Sequence, residues 1–246
     1  MSTSGKTSRP RVGRHAMILA AGLGARMQPL TLKHPKPLVA VAGKPIIAYA
    51  LDRLRPADVA EAVVNVHYLP EQIERWAAGI AVPRLVISNE RDSLLDTGGG
   101  VKKALALLGA DPFFVLNGDS FWVEGARPAL ERLRAAWDGR RMDCLLLLAA
   151  MTSAVGFEGR GDFLMHPDGR LARRPEGEIA PFAYAGCYLV HPRLFADSPD
   201  GPFSMNLLWD RALAKGRLFG LRHDATWIHV GTPDAIAAAE EALAEL

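Results

Sequence analysis

The sequence predicts a single three-layer α/β/α domain built on a mixed, mostly parallel sheet. Three observations predict it. Up to Ala150, short apolar runs alternate with amphipathic segments, strand then helix, the order in which crossover helices come to cover both faces of a parallel sheet. Residues 144–148 (CLLLL) form an unbroken apolar run, as a strand covered on both faces should. Past Ala150 the alternation loosens, and short strand candidates mix with one helix.

Taken in order, residues 16–21 read as a buried first strand. Pro45 suits a first helical position, and Ile47, Ala50, Leu51 and Leu54 follow at helical spacing. A strand at 61–66, a short helix around 72–77 and a strand at 84–88 come next. Thr97 is the expected cap of a helix whose apolar face is Val101, Ala104, Leu105 and Leu108, with Gly109 as its stop. Residues 113–116 are a short buried strand, and Ala126, Leu130, Leu133 and Trp137 mark another helix. Strands are expected at 162–165, 183–191, 218–223 and 226–230, with a helix at 205–214. Thr232 and Pro233 open an alanine-rich closing helix.

Composition narrows the function class. With 29 basic and 27 acidic residues the net charge is +2, which favours neither nucleic acid nor an anionic membrane as partner. Any preference for anions must be local. No stretch approaches the roughly 18 apolar residues of a membrane span. Cys144 and Cys187 lie in apolar, strand-like surroundings and read as buried small hydrophobes of a cytoplasmic protein. Residues 1–14 carry Lys6, Arg9, Arg11 and Arg14 and no acid, and are expected to be a disordered leader to a domain spanning 15–246. The apolar run behind them is broken by Gly22, Gly24 and Arg26, so it lacks a signal-peptide core.

The chemistry begins at the first strand–helix junction, LAAGLGARMQPLTLKHPKPLV, residues 19–39. Gly22 and Gly24 let bare backbone approach a ligand, and backbone N–H groups in such a loop form an anion site. Arg26 offers a planar fork for phosphate oxygens, and Lys36, stiffened by Pro35 and Pro37, a point charge. No acid precedes Asp52, so these cations have no local counter-charge. A dinucleotide fingerprint is disfavoured because Met27 stands at its third glycine and prolines interrupt where a helix should begin. A plain turn with solvated charges is the remaining rival. Further on, the strand at 113–116 delivers Asp119 to the carboxyl end of the sheet, where a carboxylate can hold Mg²⁺ or simply cap the next helix. Gly98, Gly99 and Gly100 open a helix at a cost to that helix, which points to close approach of a ligand.

The run 19–39, with Asn117-Gly118-Asp119, Leu95-Asp96-Thr97-Gly98-Gly99-Gly100 and Trp227-Ile228-His229-Val230-Gly231-Thr232 following, resembles the sugar-1-phosphate nucleotidyltransferases. The resemblance spans residues 16–240 and implies a Rossmann-like fold. It also implies a reaction joining a nucleoside triphosphate to a sugar 1-phosphate with release of pyrophosphate. The glycine-rich helix start, Gly159-Arg160-Gly161-Asp162-Phe163 and the short chain most resemble the uridylyltransferase branch that acts on N-acetylmuramate 1-phosphate in cell-wall recycling. Guanylylation of mannose or heptose 1-phosphate and thymidylylation of glucose 1-phosphate remain open, as does a catalytically weak nucleotide-sugar-binding regulator. A monomer or small homo-oligomer is expected.

By the same resemblance, Arg26, Lys36 and Asp119 are the catalytic set. Leu19, Ala20, Ala21, Gly22, Gly24, Asn89, Thr97 and Gly98 lie about the nucleotide. Asn117, Asp162, Tyr184 and Gly186, with Ala185, lie about the sugar; Arg160 either meets the sugar phosphate or is a solvated loop arginine. Asp119 holds Mg²⁺, with Mn²⁺ the alternative. Family members commonly place an aspartate, their second metal ligand, where this chain has His229, a nitrogen donor better suited to softer metals. Ala25 stands where serine or threonine is frequent.

Overall fold

The computed structural model describes residues 12–245. The first half is the expected alternation. It comprises β1 (His15–Leu19), the two-residue pair β2 (Ala40–Val41) and β3 (Lys44–Pro45), α1 (Ile46–Leu54) and β4 (Glu61–Val66). Then come α2 (Pro70–Ala78), β5 (Arg84–Asn89), α3 (Asp96–Leu108) and β6 (Phe113–Asn117). β1 lies between β4 and β6 and is parallel to both, and β5 extends the sheet beyond β4. Thus the four strands expected in the first half form a parallel part of the sheet.

The second half supplies β7 (Ser120–Trp122), α4 (Ala129–Ala136), β8 (Cys144–Ala150), β9 (Ala154–Val155), β10 (Phe163–Met165), β11 (Leu171–Arg173) and β12 (Phe182–Val190). α5 (Asn206–Ala214), β13 (Leu218–Arg222), β14 (Trp227–His229) and α6 (Asp234–Ala244) complete it. β12 runs antiparallel between β6 and β8, and β13 is parallel to β8, so the sheet is mixed. Within β12 the register shifts between Tyr184 and Tyr188. Its first residues part from β6, and Phe182 pairs with Phe163 of β10. β7, β14 and β9 form a separate three-stranded sheet.

Alternation along the strands explains the three layers. Ala16, Ile18, Val64, Leu116 and Leu147 point to one face, where Ile47, Leu51 and Leu54 of α1 and Leu130 and Leu133 of α4 cover them. Met17, Val63, Val115 and Leu146 point to the other, against Val101, Ala104 and Leu108 of α3 and Leu208, Trp209 and Ala212 of α5. A third cluster seats α6 and the small sheet, with Tyr49 stacked on Phe121 at a centroid distance of 4.0 Å. Both cysteines are free and buried, and burial pushes their thiols well above the ordinary value. Among the described residues no helix is long and apolar enough to cross a membrane.

Several boundaries differ from the sequence expectation, each for a physical reason. The first strand stops at Leu19 rather than residue 21, because the N–H of Ala20 donates to the Asn65 side chain instead of a neighbouring strand. Thr97 does not cap α3; its hydroxyl accepts from the N–H of Met205, and no side chain caps the helix. Of the leader, residues 1–11 lie outside the described residues. Residues 12–14 sit on the domain: the Gly13 N–H donates to the Pro112 carbonyl at 2.7 Å, and Arg134 donates to the carbonyls of Val12 and Gly13.

His223 ties the small sheet to the large one. It follows β13, is 2% exposed, and its Nε2–H donates to the Val123 carbonyl at 2.9 Å. Nδ1 has no hydrogen-bond partner among the described residues, and the Asp224 carboxylate stands 3.9 Å away. Burial is the largest influence and lowers the imidazole pKa below its ordinary 6.5, despite the neighbouring acids Glu124 and Asp224. The unfolded chain therefore takes up a proton at pH values where the folded protein does not, and stability must fall as pH drops below about 6.5. His223→Gln keeps a donor for Val123 and removes the titration. Urea denaturation across about pH 7 to 5 is expected to show a shallower loss of stability in the variant than in the parent. Equal slopes would refute the assignment.

Candidate functional site

At the carboxyl ends of β1, β4 and β6 lies a cavity of about 390 Å³ lined by Leu19, Ala21, Gly22, Asn65, Leu94, Asp96, Thr97, Asn117, Gly118 and Asp119. A second cavity of about 210 Å³ shares Leu19, Asp96, Thr97 and Asn117 and runs on to Tyr184, Tyr188, Met205 and Trp209. The edge where strands end is where open α/β sheets bind ligands. A larger cavity, about 1250 Å³, opens around Val12, Arg134, Trp137 and Arg193, away from this edge. Three of its four arginines are already committed: Arg14 to Asp58, Arg134 to the carbonyls of Val12, Gly13 and Ala57, and Arg193 to Asp143 and two carbonyls. Size is a poor guide here, because the expected reacting groups gather at the cavity of about 390 Å³.

Two loops form its floor. The Leu19 carbonyl accepts from the Gly118 N–H at 2.9 Å, so the chains leaving β1 and β6 are clamped together. A Cβ on Gly118 would lie 2.6 Å from that carbonyl, which is why glycine is required there. The loop after β1 folds back at Gly24, whose φ of 65° is left-handed, and the Thr31 hydroxyl donates to its carbonyl at 2.8 Å. Among the described residues nothing stands within 4 Å of where a Gly22 Cβ would be, which leaves room for a ligand against this backbone. Arg26 is exposed on the short turn Ala25–Met27. Lys36, on the next turn, is buried, and its Nζ donates to Oδ2 of Asp119 at 2.8 Å.

β14 brings the fourth group. It lies antiparallel on β7 with His229 opposite Ser120, and the Val230 N–H donates to the Asp119 carbonyl at 3.1 Å. A Cβ on Gly231 would sit 2.7 Å from Nε2 of His229 and 3.7 Å from Nη1 of Arg26, so imidazole and guanidinium share the space that this glycine leaves. Burial tends to raise the pKa of Asp119, but the charges of Lys36, His229 and Arg26 outweigh it and hold the carboxyl below its ordinary value. For His229 burial is the largest influence; it lowers the pKa with help from Lys36 and Arg26, against the pull of Asp119. At neutral pH the cluster is thus two cations, one carboxylate and an uncharged imidazole. Among the described residues no group of three or more His, Cys, Asp or Glu side chains converges to hold a metal.

Residues 16–160 match the MobA-like NTP transferase domain. The chain belongs to this family. It is 52% identical, over 94% of its own length and 97% of the relative's, to the N-acetylmuramate alpha-1-phosphate uridylyltransferase of Caulobacter vibrioides. Its identity to the enzyme of that name from Neisseria meningitidis serogroup B is 34%, over 88% of this chain and 93% of the relative. These relatives place the chain among the sugar-1-phosphate nucleotidyltransferases, as its motifs implied. HddC from Yersinia pseudotuberculosis, solved with GMP-PN, superposes with a TM-score of 0.74 at 22% identity over 93% of this chain and 99% of that one. The inositol-1-phosphate CTP transferase from T. maritima gives 0.73 at 15% identity, over 95% and 98%. At those identities the likeness is one of fold.

In this nucleotidyltransferase, Leu19, Ala21, Gly22, Thr97, Asn117 and Asp119 of the expected residues line the cavity of about 390 Å³. Ala20 serves through its backbone, and Gly24 through its turn. Asn89 is turned away: it is exposed, and its side chain accepts from the Arg91 N–H at 2.8 Å. The three glycines of α3 also differ from expectation, since what each makes room for is protein. A Cβ on Gly98 would strike the Phe203 ring, one on Gly99 the Gly201 carbonyl, and one on Gly100 would meet Glu90 and Asn65 at 2.8 and 2.9 Å. The N–H groups of Gly98 and Gly99 donate to the Phe203 carbonyl, so this helix start is not an open anion site. Of the residues expected about the sugar, Tyr184 and Asn117 line the cavity of about 210 Å³, with the Tyr184 hydroxyl 3.4 Å from Oδ1 of Asn117. Asp162 is taken up by the Tyr184 N–H at 2.8 Å. Gly186, at φ 76°, and Ala185 lie in the irregular stretch of β12, with the Ser120 hydroxyl against Gly186. Arg160 is exposed and reaches the Gly177 carbonyl at 3.3 Å.

Sequence reasoning missed Asn65 and Glu90, which are 3% and 1% exposed beside the cavity. The available signal was a single amide inside the apolar strand AVVNV. Gly118→Ala tests the clamp. Its Cβ faces backbone that cannot turn aside, so a loss of about 2 kcal/mol in urea denaturation and weaker nucleotide binding are expected. An unchanged unfolding midpoint would count against it.

Proposed function

We propose that the protein transfers a uridylyl group from UTP to N-acetylmuramate 1-phosphate, releasing pyrophosphate, in cytoplasmic recycling of cell-wall sugar. The observation that carries the class of reaction is the Lys36–Asp119 pair at the mouth of a cavity floored by glycine backbone, with Arg26 beside it. The relatives' identities support the choice of base and sugar.

An oxygen of the sugar 1-phosphate would attack the α-phosphorus of the nucleotide. The new phosphorus–oxygen bond forms as the bond from that phosphorus to the bridging oxygen of pyrophosphate breaks. The attacking group is already ionised, so no general base is needed, and catalysis rests on position and electrostatics. Arg26 would neutralise the leaving pyrophosphate. Lys36 would span the α-phosphate and the attacking phosphate. Asn117 and Tyr184 would border the sugar.

Asp119, held ionised by its neighbours, is a hard oxygen donor. That suits a divalent cation completing its shell with substrate phosphates and water. Such an ion, Mg²⁺ or Mn²⁺, would supply further positive charge to the phosphate oxygens. His229 contributes only a neutral nitrogen, a poor ligand for Mg²⁺ and a better one for Mn²⁺. His229→Asp is accordingly expected to raise turnover in Mg²⁺, and a variant no better than the parent there would sink that reading.

Pyrophosphate release from UTP, GTP, dTTP and CTP, each paired with N-acetylmuramate, mannose and glucose 1-phosphates, tests the assignment. UTP with N-acetylmuramate 1-phosphate should turn over fastest. Another preferred pair would replace the substrates, and no release with any pair would overturn the class. Arg26→Ala and Lys36→Ala should each lower kcat on the order of 10²–10³-fold, with the thermal midpoint little changed. Parental rates in either would remove that residue from the mechanism.

A further inference from the structure

The cavity of about 390 Å³ has two backbone walls that come from different parts of the chain, the loop after β1 and the turn before α3. They are joined by two buried side chains that hydrogen-bond to none of the expected reacting side chains. The Ala20 N–H donates to Oδ1 of Asn65 at 2.7 Å; Nδ2 of Asn65 donates to Oε1 of Glu90 at 2.8 Å; and the Leu95 N–H donates to Oε2 of Glu90 at 3.0 Å. The order admits one direction only. Both ends are backbone donors, so the amide must turn its oxygen to Ala20, and Glu90 must accept twice, the pattern of a carboxylate anion.

No lysine or arginine among the described residues pairs with Glu90, whose backbone carbonyl is within 2.7 Å of Nδ1 of His67. Burying a carboxylate without a cation is costly, and a buried polar network that is fully satisfied makes its surroundings rigid. Gly100 gives up its Cβ to the same pair, since one there would lie within 3 Å of both side chains. A helix residue has thus been reduced to glycine to make room for a polar link that a plain core would not need. Asn65 itself lines the cavity.

We propose that Asn65 and Glu90 are positioning residues that set the separation between the triphosphate loop at Ala20 and the base-side turn at Leu95. The inference rests on nucleotidyl transfer at this cavity and adds to it a residue pair acting on the nucleotide and not on the sugar phosphate.

The direction of the network supplies a test. Asn65→Asp sets two carboxylates against each other, and Glu90→Gln sets two amide donors against each other. In the double variant N65D/E90Q the new carboxylate accepts from Ala20 and from the new amide, whose oxygen accepts from Leu95. Every bond is restored with the middle one reversed. Each single variant is expected to raise KM for the triphosphate, and its dissociation constant by calorimetry, by roughly 10- to 100-fold, with KM for the sugar phosphate within about twofold of the parent. The double variant should return both nucleotide constants to within about threefold of the parent. Singles that bind nucleotide as the parent does, singles that raise both KM values alike, or a double no better than the worse single would each overturn the proposal. Should the singles fail to fold, the double variant decides by the same criterion. A parent that binds triphosphate but releases no pyrophosphate would sink the transfer reaction and leave the binding comparison to judge the pair.

Discussion

The parallel pairing of β1 with β6 ends with Leu19 opposite Asn117, and the site follows from where that ladder stops. Beyond it both chains must leave the sheet at the same edge, and the Gly118 N–H held by the Leu19 carbonyl makes them leave together. One chain becomes the glycine loop and the other becomes Asp119. Lys36 returns to Asp119 from the far end of that loop, and β14, laid on β7, adds His229. Segments remote in sequence meet because one ladder fixes a common origin for them.

The Lys36–Asp119 pair is better understood as preorganisation than as stabilisation. The two side chains are 11% and 30% exposed, between the surface case, worth about 0–1 kcal/mol, and the fully buried one, where desolvation offsets the attraction. What the pair secures is charge at a fixed place. Two prolines fix the backbone on either side of Lys36, its Nζ is hydrogen-bonded to Asp119, and Asp119 stays ionised although partly buried. Groups that do not reorganise when phosphate charge develops are the ones that lower a barrier.

Much of the fold was legible because its central strands are covered on both faces and so read as apolar runs: β4 was placed to the residue, and β1, β6 and β8 start within one residue of expectation. Helix starts were less legible, since α1, α3 and α6 begin without a side-chain cap. β7 and β9, of three and two residues, are too short to carry a period and exist as partners of β14. At the site, Gly22, Lys36 and Asp119 were visible because their residue types declare their chemistry. The purpose of Gly98 and Gly99 was not, because Phe203 and Gly201 reach them from far along the chain. Asn65 and Glu90 escaped for a related reason: a buried hydrogen-bond network has no sequence period.

His229 changes who carries the charge. Burial and the two neighbouring cations drive the proton from its ring more strongly than Asp119 holds it, so the position contributes neither a positive nor a negative charge. A carboxylate there would cancel one cation of the cluster and would depend on a bound ion to restore the balance. With an uncharged imidazole, Arg26 and Lys36 face Asp119 alone within this cluster, while the Asp96 carboxylate lines the cavity beyond it. In the proposed reaction, positive charge at the cavity mouth would therefore come first from the two side chains that the first loop holds.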